Sequence, residues 1–399
     1  MYCIVHTLYC VKPKLPTNLM AGIYLHIPFC KQACYYCDFH FSTNTEFKAE
    51  LVQAMAKEIA MQAHYLGENP TLETIYFGGG TPSLLSESEL DLLMETIYKH
   101  FSVTATPEIS LEANPDDLSL EKLKQLQKSG INRLSIGIQS FDDNNLAYLH
   151  RAHNAVQASN CVKLAQDLGI SNISIDLIYA IPSELGEDHA DEIWQGNLAK
   201  ALDLDVPHIS SYCLTIEPQT AFGKWLEKGK IAPIDEDRAA RHFEMLVAEL
   251  TDFGYEHYEV SNFAKPQHYS RHNTNYWRQI PYLGVGPSAH SFDLHSRQYN
   301  VSNNAKYMAA IQANEIPCER EELQNKDRIN EYILTTLRTQ WGCDLGFIKA
   351  HLNFDIAQTY AKELAQWIKA EWAYIENNHL ILTTQGKLLA DGLVAKLFV

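Results

Sequence analysis

Six short apolar runs, rich in β-branched and aromatic residues, recur along the first half of the chain with helical patterns between them. They cover residues 23–28, 74–77, 108–112, 133–138, 172–179 and 208–215. Within them apolar residues are nearly continuous instead of alternating, the pattern of strands covered on both faces in a parallel sheet. The helices between carry their own punctuation. Ser86 and Glu89 form a capping box ahead of Leu90, Leu93 and Ile97, and the segment 120–129 stops at Gly130. Cys161, Leu164, Ala165 and Leu168 keep helical spacing up to Gly169. This alternation predicts an α/β fold, and six units fall short of a closed eight-fold barrel. A partial (β/α)6 barrel and a doubly wound sheet both fit.

The rhythm stops near Glu217. Residues 218–325 are richer in aromatics, proline and histidine and show no clear strand–helix alternation. From Asp327 the pattern predicts helices over 329–339, 345–352 and about 357–370. Strands over 372–375 and 380–383 follow, turning at Asn377-Asn378, which together is a winged-helix-like plan. Such modules often bind DNA, but the third helix has no excess of Lys or Arg, which points to packing or partner binding. The expected organisation is a leader over 1–20, disordered or upstream of a true start at Met20, and a barrel core over 21–217. A mixed segment over 218–325 and a C-terminal winged-helix-like domain over 326–399 complete it.

A chain of 399 residues, 46% hydrophobic and 20% charged, can bury a sizeable core. Its formal charge of −17 argues against a nucleic-acid coat, and no run of 18 apolar residues suggests a membrane span. Of 9 cysteines, Cys3 and Cys10 fall in the leader, three are tightly clustered and four stand singly. That is not a disulfide framework, and it predicts a reducing, cytoplasmic setting.

The cluster is Cys30-x-x-x-Cys34-x-x-Cys37, directly after the first strand. Three thiolates so close can face one small inorganic body, and sulfur favours soft metals. A zinc site completed by His26 or His40 is one candidate. An iron–sulfur cube is the other; three protein ligands leave one iron open to an outside ligand. Polar residues recur at the ends of the following strands. The second leads into Gly78-Gly79-Gly80-Thr81-Pro82, whose glycines let a ligand approach the backbone and lack dinucleotide spacing. The third ends in Glu112-Ala113-Asn114-Pro115, the fourth in Gln139-Ser140-Phe141 followed by Arg151-Ala152-His153, and the fifth carries Asp176. Singly each is an ordinary polar residue; together they occupy the strand ends where barrels bind ligands.

The cysteine loop, with Tyr36 before its last Cys, resembles the radical S-adenosylmethionine superfamily, whose members use a partial (β/α)6 barrel. The resemblance implies a 4Fe-4S cluster on Cys30, Cys34 and Cys37, its open iron chelated by the amino and carboxylate groups of S-adenosylmethionine. Within that superfamily the rim residues are similar to those of the oxygen-independent coproporphyrinogen III oxidase group. By that likeness Tyr24, Tyr36, Gly79, Gly80, Thr81, Glu112, Gln139, Arg151 and Asp176 bind the cofactor.

That group has a decarboxylating and a haem-carrying branch, and three features separate them. The dehydrogenase pattern continues to a fourth Cys where this chain has Phe39, and its long N-terminal segment is not matched by the residues before Cys30. Third, Arg271-His272-Asn273-Thr274-Asn275-Tyr276-Trp277 carries the H-N-x-x-Y-W pattern and, with residues 258–264, resembles the HemW family of haem chaperones. The likeness implies haem as a ligand, with His272 as axial ligand and Tyr276 and Trp277 as flat apolar faces; His290 is the second choice. The alternative for the same residues is to brace the junction after the barrel. The resemblance covers nearly the whole chain from Met20 and implies delivery of haem to acceptor haemoproteins. A flavodoxin- or ferredoxin-type electron donor and a homodimer belong to the same expectation. The alternative is oxidative decarboxylation of coproporphyrinogen III.

Overall fold

The computed structural model describes residues 20–399, so the expected leader, Met20 apart, lies outside the described residues. The six apolar runs form six parallel strands: β1 (Met20–Ile27), β2 (Thr71–Gly79), β3 (Ser102–Ala113), β4 (Arg133–Gln139), β5 (Ile173–Tyr179) and β6 (His208–Cys213). Each pairs with the next in sequence order. That order is a barrel wall; a doubly wound sheet would reverse direction part-way. Ile23, Leu25, Ile75, Phe77, Ile136 and Ile175 are fully buried beneath the crossover helices. The capping box at Ser86 and Glu89 is present, and Gly130 and Gly169 take the left-handed conformation that ends their helices.

The segment 218–325, which has no visible alternation, extends this sheet on both sides. A hairpin of β7 (Glu256–Glu259) and β8 (Asn262–Ala264) joins β6 antiparallel. β9 (Tyr282–Val285) pairs parallel with β1, and β10 (His290–Phe292), β11 (Ser296–Asn300) and β12 (Cys318–Glu322) follow antiparallel. Strands of three to five residues are too short to show a period, so their membership was invisible in sequence.

The C-terminal part has its own core, which includes Ile333, Leu337, Trp367, Leu380 and Leu393. Helices Asn325–Leu337, Leu345–His351, Ile356–Thr359 and Ala361–Lys369 pack on a small sheet of β13 (Cys343–Asp344), β14 (Ala373–Glu376) and β15 (His379–Leu382). Asn377 and Asn378 are both left-handed, as a two-residue hairpin turn requires. Two further helices, Thr384–Leu388 and Ala390–Ala395, were not expected from the sequence. This module touches both ends of the large sheet: Glu331 pairs with Arg297 of β11 at 2.5 Å, and Thr339 forms a β-bridge with Glu259 of β7. It therefore spans the gap that a six-stranded wall leaves open. Among the described residues no helix is long and apolar enough to cross a membrane.

Candidate functional site

The cysteine loop leaves β1 and is closed at its base by hydrogen bonds from Cys30 N to Ser42 O (3.0 Å) and from Ser42 N to Pro28 O (2.8 Å). Its middle is clasped from the segment after β4: Tyr35 N donates to Leu149 O, and Gln32 Nε2 to His150 O at 2.9 Å. His150 Nδ1 meets Ala33 O at 2.8 Å, and its ring lies flat on Tyr35, centroids 4.2 Å apart. Cys30, Cys34 and Cys37 are free and partly exposed. Burial pushes the Cys30 thiol up and that of Cys37 to about 11. Thiols so placed become thiolates when a metal supplies the opposing charge.

Among the described residues no three His, Cys, Asp or Glu side chains gather closely enough to hold a single metal ion. Both His26 nitrogens are already engaged, Nδ1 with the Tyr24 hydroxyl (3.2 Å) and Nε2 with His40 O (2.9 Å). His40 Nε2 meets Asn304 Oδ1 at 2.8 Å. The zinc alternative thus has no ready fourth ligand. Three separate thiols suit a cube, whose irons each take one.

The glycine run passes directly under this loop. Gly79 has φ +103°, and a Cβ on Gly80 would lie 2.7 Å from the carbonyl oxygens of Ile27 and Phe29. No side chain fits there. Thr81 Oγ1 donates to Cys30 Sγ at 3.4 Å. Gly79 N donates to Glu112 Oε2 at 3.0 Å, and the Tyr76 hydroxyl to Glu112 Oε1 at 2.9 Å. Burial, helped by the charge of Asp176, raises the Glu112 carboxyl to about 7; burial raises Asp176 to about 6. Gln139 sits at an irregularity in β4 with φ 67°, strained for a non-glycine and held by the β5 ladder.

Arg151 crosses the mouth of the barrel. Nη2 donates to Asn114 Oδ1 and Gly137 O, both at 2.7 Å, and Nη1 reaches Cys34 Sγ and the Tyr36 hydroxyl at 3.4 Å. Its buried Nε has no partner. A cavity of about 1240 Å³ opens here, lined by Tyr36, Cys37, Gly80, Glu112, Gln139, Arg151 and Asp176. It continues to Lys387, Leu388 and Leu389 of the unexpected C-terminal helices. Their only sequence signal is Thr383, which caps the first of these helices. Tyr24, Gly79 and Thr81 stand behind this lining. Two partly buried carboxyls, Glu112 and Asp176, that form no ion pair among the described residues, and an orphaned guanidinium N–H, suit a ligand carrying both a positive group and hydrogen-bonding oxygens.

His272 is not brought to this cavity. It lies on the helix Arg271–Trp277, whose first N–H groups donate to both Glu108 oxygens, and is 1% exposed inside the barrel. Nδ1 meets Thr74 Oγ1 at 2.7 Å and Nε2 the Tyr276 hydroxyl at 2.8 Å. Tyr76 stacks on the imidazole at 4.9 Å and separates it from Glu112. Burial lowers its pKa to about 3, so the ring is neutral. With both nitrogens occupied, haem ligation by His272 requires its release from Thr74 and Tyr276. His290 is exposed on the outer strand β10, its ring beside Tyr299.

Residues 24–193 match the radical SAM superfamily model, and residues 323–389 match the HemN C-terminal domain. The solved structure of Escherichia coli coproporphyrinogen III oxidase (HemN) superposes with a TM-score of 0.83 at 22% identity, over 97% of this chain and 92% of that one. The chain is 32% identical to the haem chaperone HemW of Bacillus subtilis over 375 residues, 93% of this chain and 97% of the relative. It is likewise 32% identical to Escherichia coli HemW over 390 residues, again 93% and 97%. Identity at this level along nearly the full length of both partners, on a barrel of this architecture, means that the chain belongs to the HemW family of the radical SAM superfamily.

Proposed function

We propose that this protein is a haem chaperone: it takes up haem beside a 4Fe-4S cluster and S-adenosylmethionine and delivers haem to acceptor haemoproteins in the cytoplasm. The observation that carries this reading is Phe39, 71% exposed on the cavity wall. The dehydrogenase pattern has a fourth cysteine there; an exposed aromatic suits a flat apolar ligand instead.

Cys30, Cys34 and Cys37 would hold the cluster, and the glycine backbone, Glu112, Gln139, Arg151 and Asp176 would hold S-adenosylmethionine. When bound, the pair supplies one-electron cleavage of a sulfonium–carbon bond, fed by a flavodoxin- or ferredoxin-type donor. The protein's own part is to seat both. The fixed guanidinium of Arg151 offsets thiolate charge, Glu112 accepts hydrogen bonds in its ionised form, and Gln139 is preset in its strained conformation.

The test is anaerobic incubation of the reconstituted protein with haem, and separately with coproporphyrinogen III plus S-adenosylmethionine. A Soret band with haem and no protoporphyrinogen IX is expected. Formation of protoporphyrinogen IX would move the assignment to the dehydrogenase. The same spectra on His272→Ala decide whether that imidazole is the iron ligand, and sedimentation before and after cluster removal reports on a homodimer.

A further inference from the structure

The cavity has two chemically different halves. Beside the cysteine loop its wall is polar, with Gly80, Glu112, Gln139, Arg151 and Asp176. Its outer part runs from Phe39 of that loop and Tyr212 of β6, which border the polar wall, to Trp372, Leu388 and Leu389, and of these all but Trp372 stand exposed. Large apolar side chains gathered around one opening mark a binding surface. At about 1240 Å³ the cavity exceeds the roughly 300–1,000 Å³ of a pocket for one drug-sized ligand. It has room for a second ligand beside the cofactor.

Cations and carboxylates both reach this part, and Glu259 lies behind Arg338 and Lys387. The whole chain carries −17, yet Arg338, Lys387 and Lys396, all from the C-terminal module, reach this half. Asp38 and Glu217 approach from the barrel loops, and Asp391 pairs with Arg338. Lys387 is buried, its Nζ donating to His257 O at 2.7 Å, and burial brings its pKa down to about 8. A carboxylate beside it would hold the ammonium charged. The Arg338 guanidinium lies over the ring of Trp277, 5.9 Å from its centroid.

Resting on the haem-chaperone reading, we infer that this outer half is the seat of the tetrapyrrole. A planar apolar dicarboxylate lies against Phe39, Tyr212, Leu388 and Leu389, with its carboxylates on Arg338, Lys387 and Lys396. Guanidinium and ammonium groups are the natural partners for two propionates, and exposed aromatic and aliphatic side chains for the ring. The H-N-x-x-Y-W helix then contributes through Trp277, a positioning residue that holds Arg338 at the rim. The C-terminal module becomes part of the haem site.

The test is titration of the reconstituted full chain, under anaerobic conditions, with haem, haem dimethyl ester and metal-free protoporphyrin IX. Lys396→Glu and Leu389→Asp change exposed side chains, and circular dichroism with cluster absorption reports that they fold. Trp277→Phe, which keeps an aromatic face, serves as the conservative control beside Trp277→Ala. The ester should bind at least about tenfold more weakly than haem, as should haem to both rim variants, with metal-free porphyrin competing for the site. Trp277→Ala should weaken haem binding and Trp277→Phe restore most of it. If wild-type protein binds haem but the ester and the rim variants bind equally well, or the metal-free ring does not compete, this seat is wrong and the chaperone reading stands. If wild type binds neither ring, both fall.

Discussion

Arg151 places Nη1 3.4 Å from the Sγ of Cys34, a residue 117 positions away in sequence, while Nη2 is fixed by Asn114 Oδ1 and Gly137 O at 2.7 Å each. The guanidinium is thus held by the barrel wall and presented to the thiol. It links two segments that sequence alone leaves independent: the loop after β1 and the turn after β4.

Replacing Arg151 with Gln removes the charge and the fork together. Cluster retention should fall, and affinity for S-adenosylmethionine should drop by about tenfold or more. Iron and sulfide content per chain, with equilibrium dialysis of the cofactor, check this. Unchanged values in a folded variant would separate Arg151 from the site.

Cys34→Ala should abolish the broad visible absorption of the cluster, whereas Cys161→Ala and Cys318→Ala should keep it. Cys161 is buried in the core and Cys318 lies on the outer strand β12. Full iron stoichiometry in the Cys34 variant would refute the ligand assignment.

Glu112 predicts a pH dependence. Its carboxyl rises from 4.5 to about 7 on folding, chiefly through burial, so the native state holds a proton that the unfolded chain has released between those values. Stability contributed by the protonated form is complete below about 4.5 and is lost as pH rises through about 7. The shift corresponds to about 3 kcal/mol at alkaline pH. Glu112→Gln should flatten this slope in denaturant melts at pH 5 and 8, and raise stability at pH 8. Because hydroxyl donors favour the ionised form, cofactor binding to wild type should tighten towards pH 8, a trend the Gln variant should lack.

Gly80→Ala tests the close approach under the cysteine loop. Its Cβ would meet two backbone carbonyls at 2.7 Å, neither able to swing aside. The expected cost is about 1–3 kcal/mol in stability, with loss of cluster binding. Denaturant midpoint and visible absorption are the readouts; a wild-type result in both would show the loop to be adaptable.

Much of this protein was legible locally. Six runs of buried apolar residues, the Ser86–Glu89 box and the glycines that end helices depend on neighbours within a turn or a strand, and all appear where the pattern predicts. Glu112 and Gln139 likewise stand at the ends of β3 and β4, because a strand end in a parallel wall points to one rim whatever lies beyond it, whereas Asp176 lies mid-strand in β5. Thr383 to Lys396 carry no legible pattern, because two helices of five and six residues show too little period.

The sequence by itself determined the barrel wall, the cysteine triplet and the polar rim, since period, spacing and strand ends are properties of short segments. Only the tertiary structure decided where the rest belongs. β9 lies beside β1 and β8 beside β6 through backbone pairing that no residue pattern announces. His272, whose motif suggested a haem ligand, is drawn inside the barrel because Thr74, Tyr276 and Glu108 satisfy its polar groups there. The cavity owes its outer wall to contacts such as Arg297 with Glu331 and Lys387 with His257 O, made between segments far apart in the chain. Such contacts form only after the chain has closed long loops, so their energy has no local signature to read.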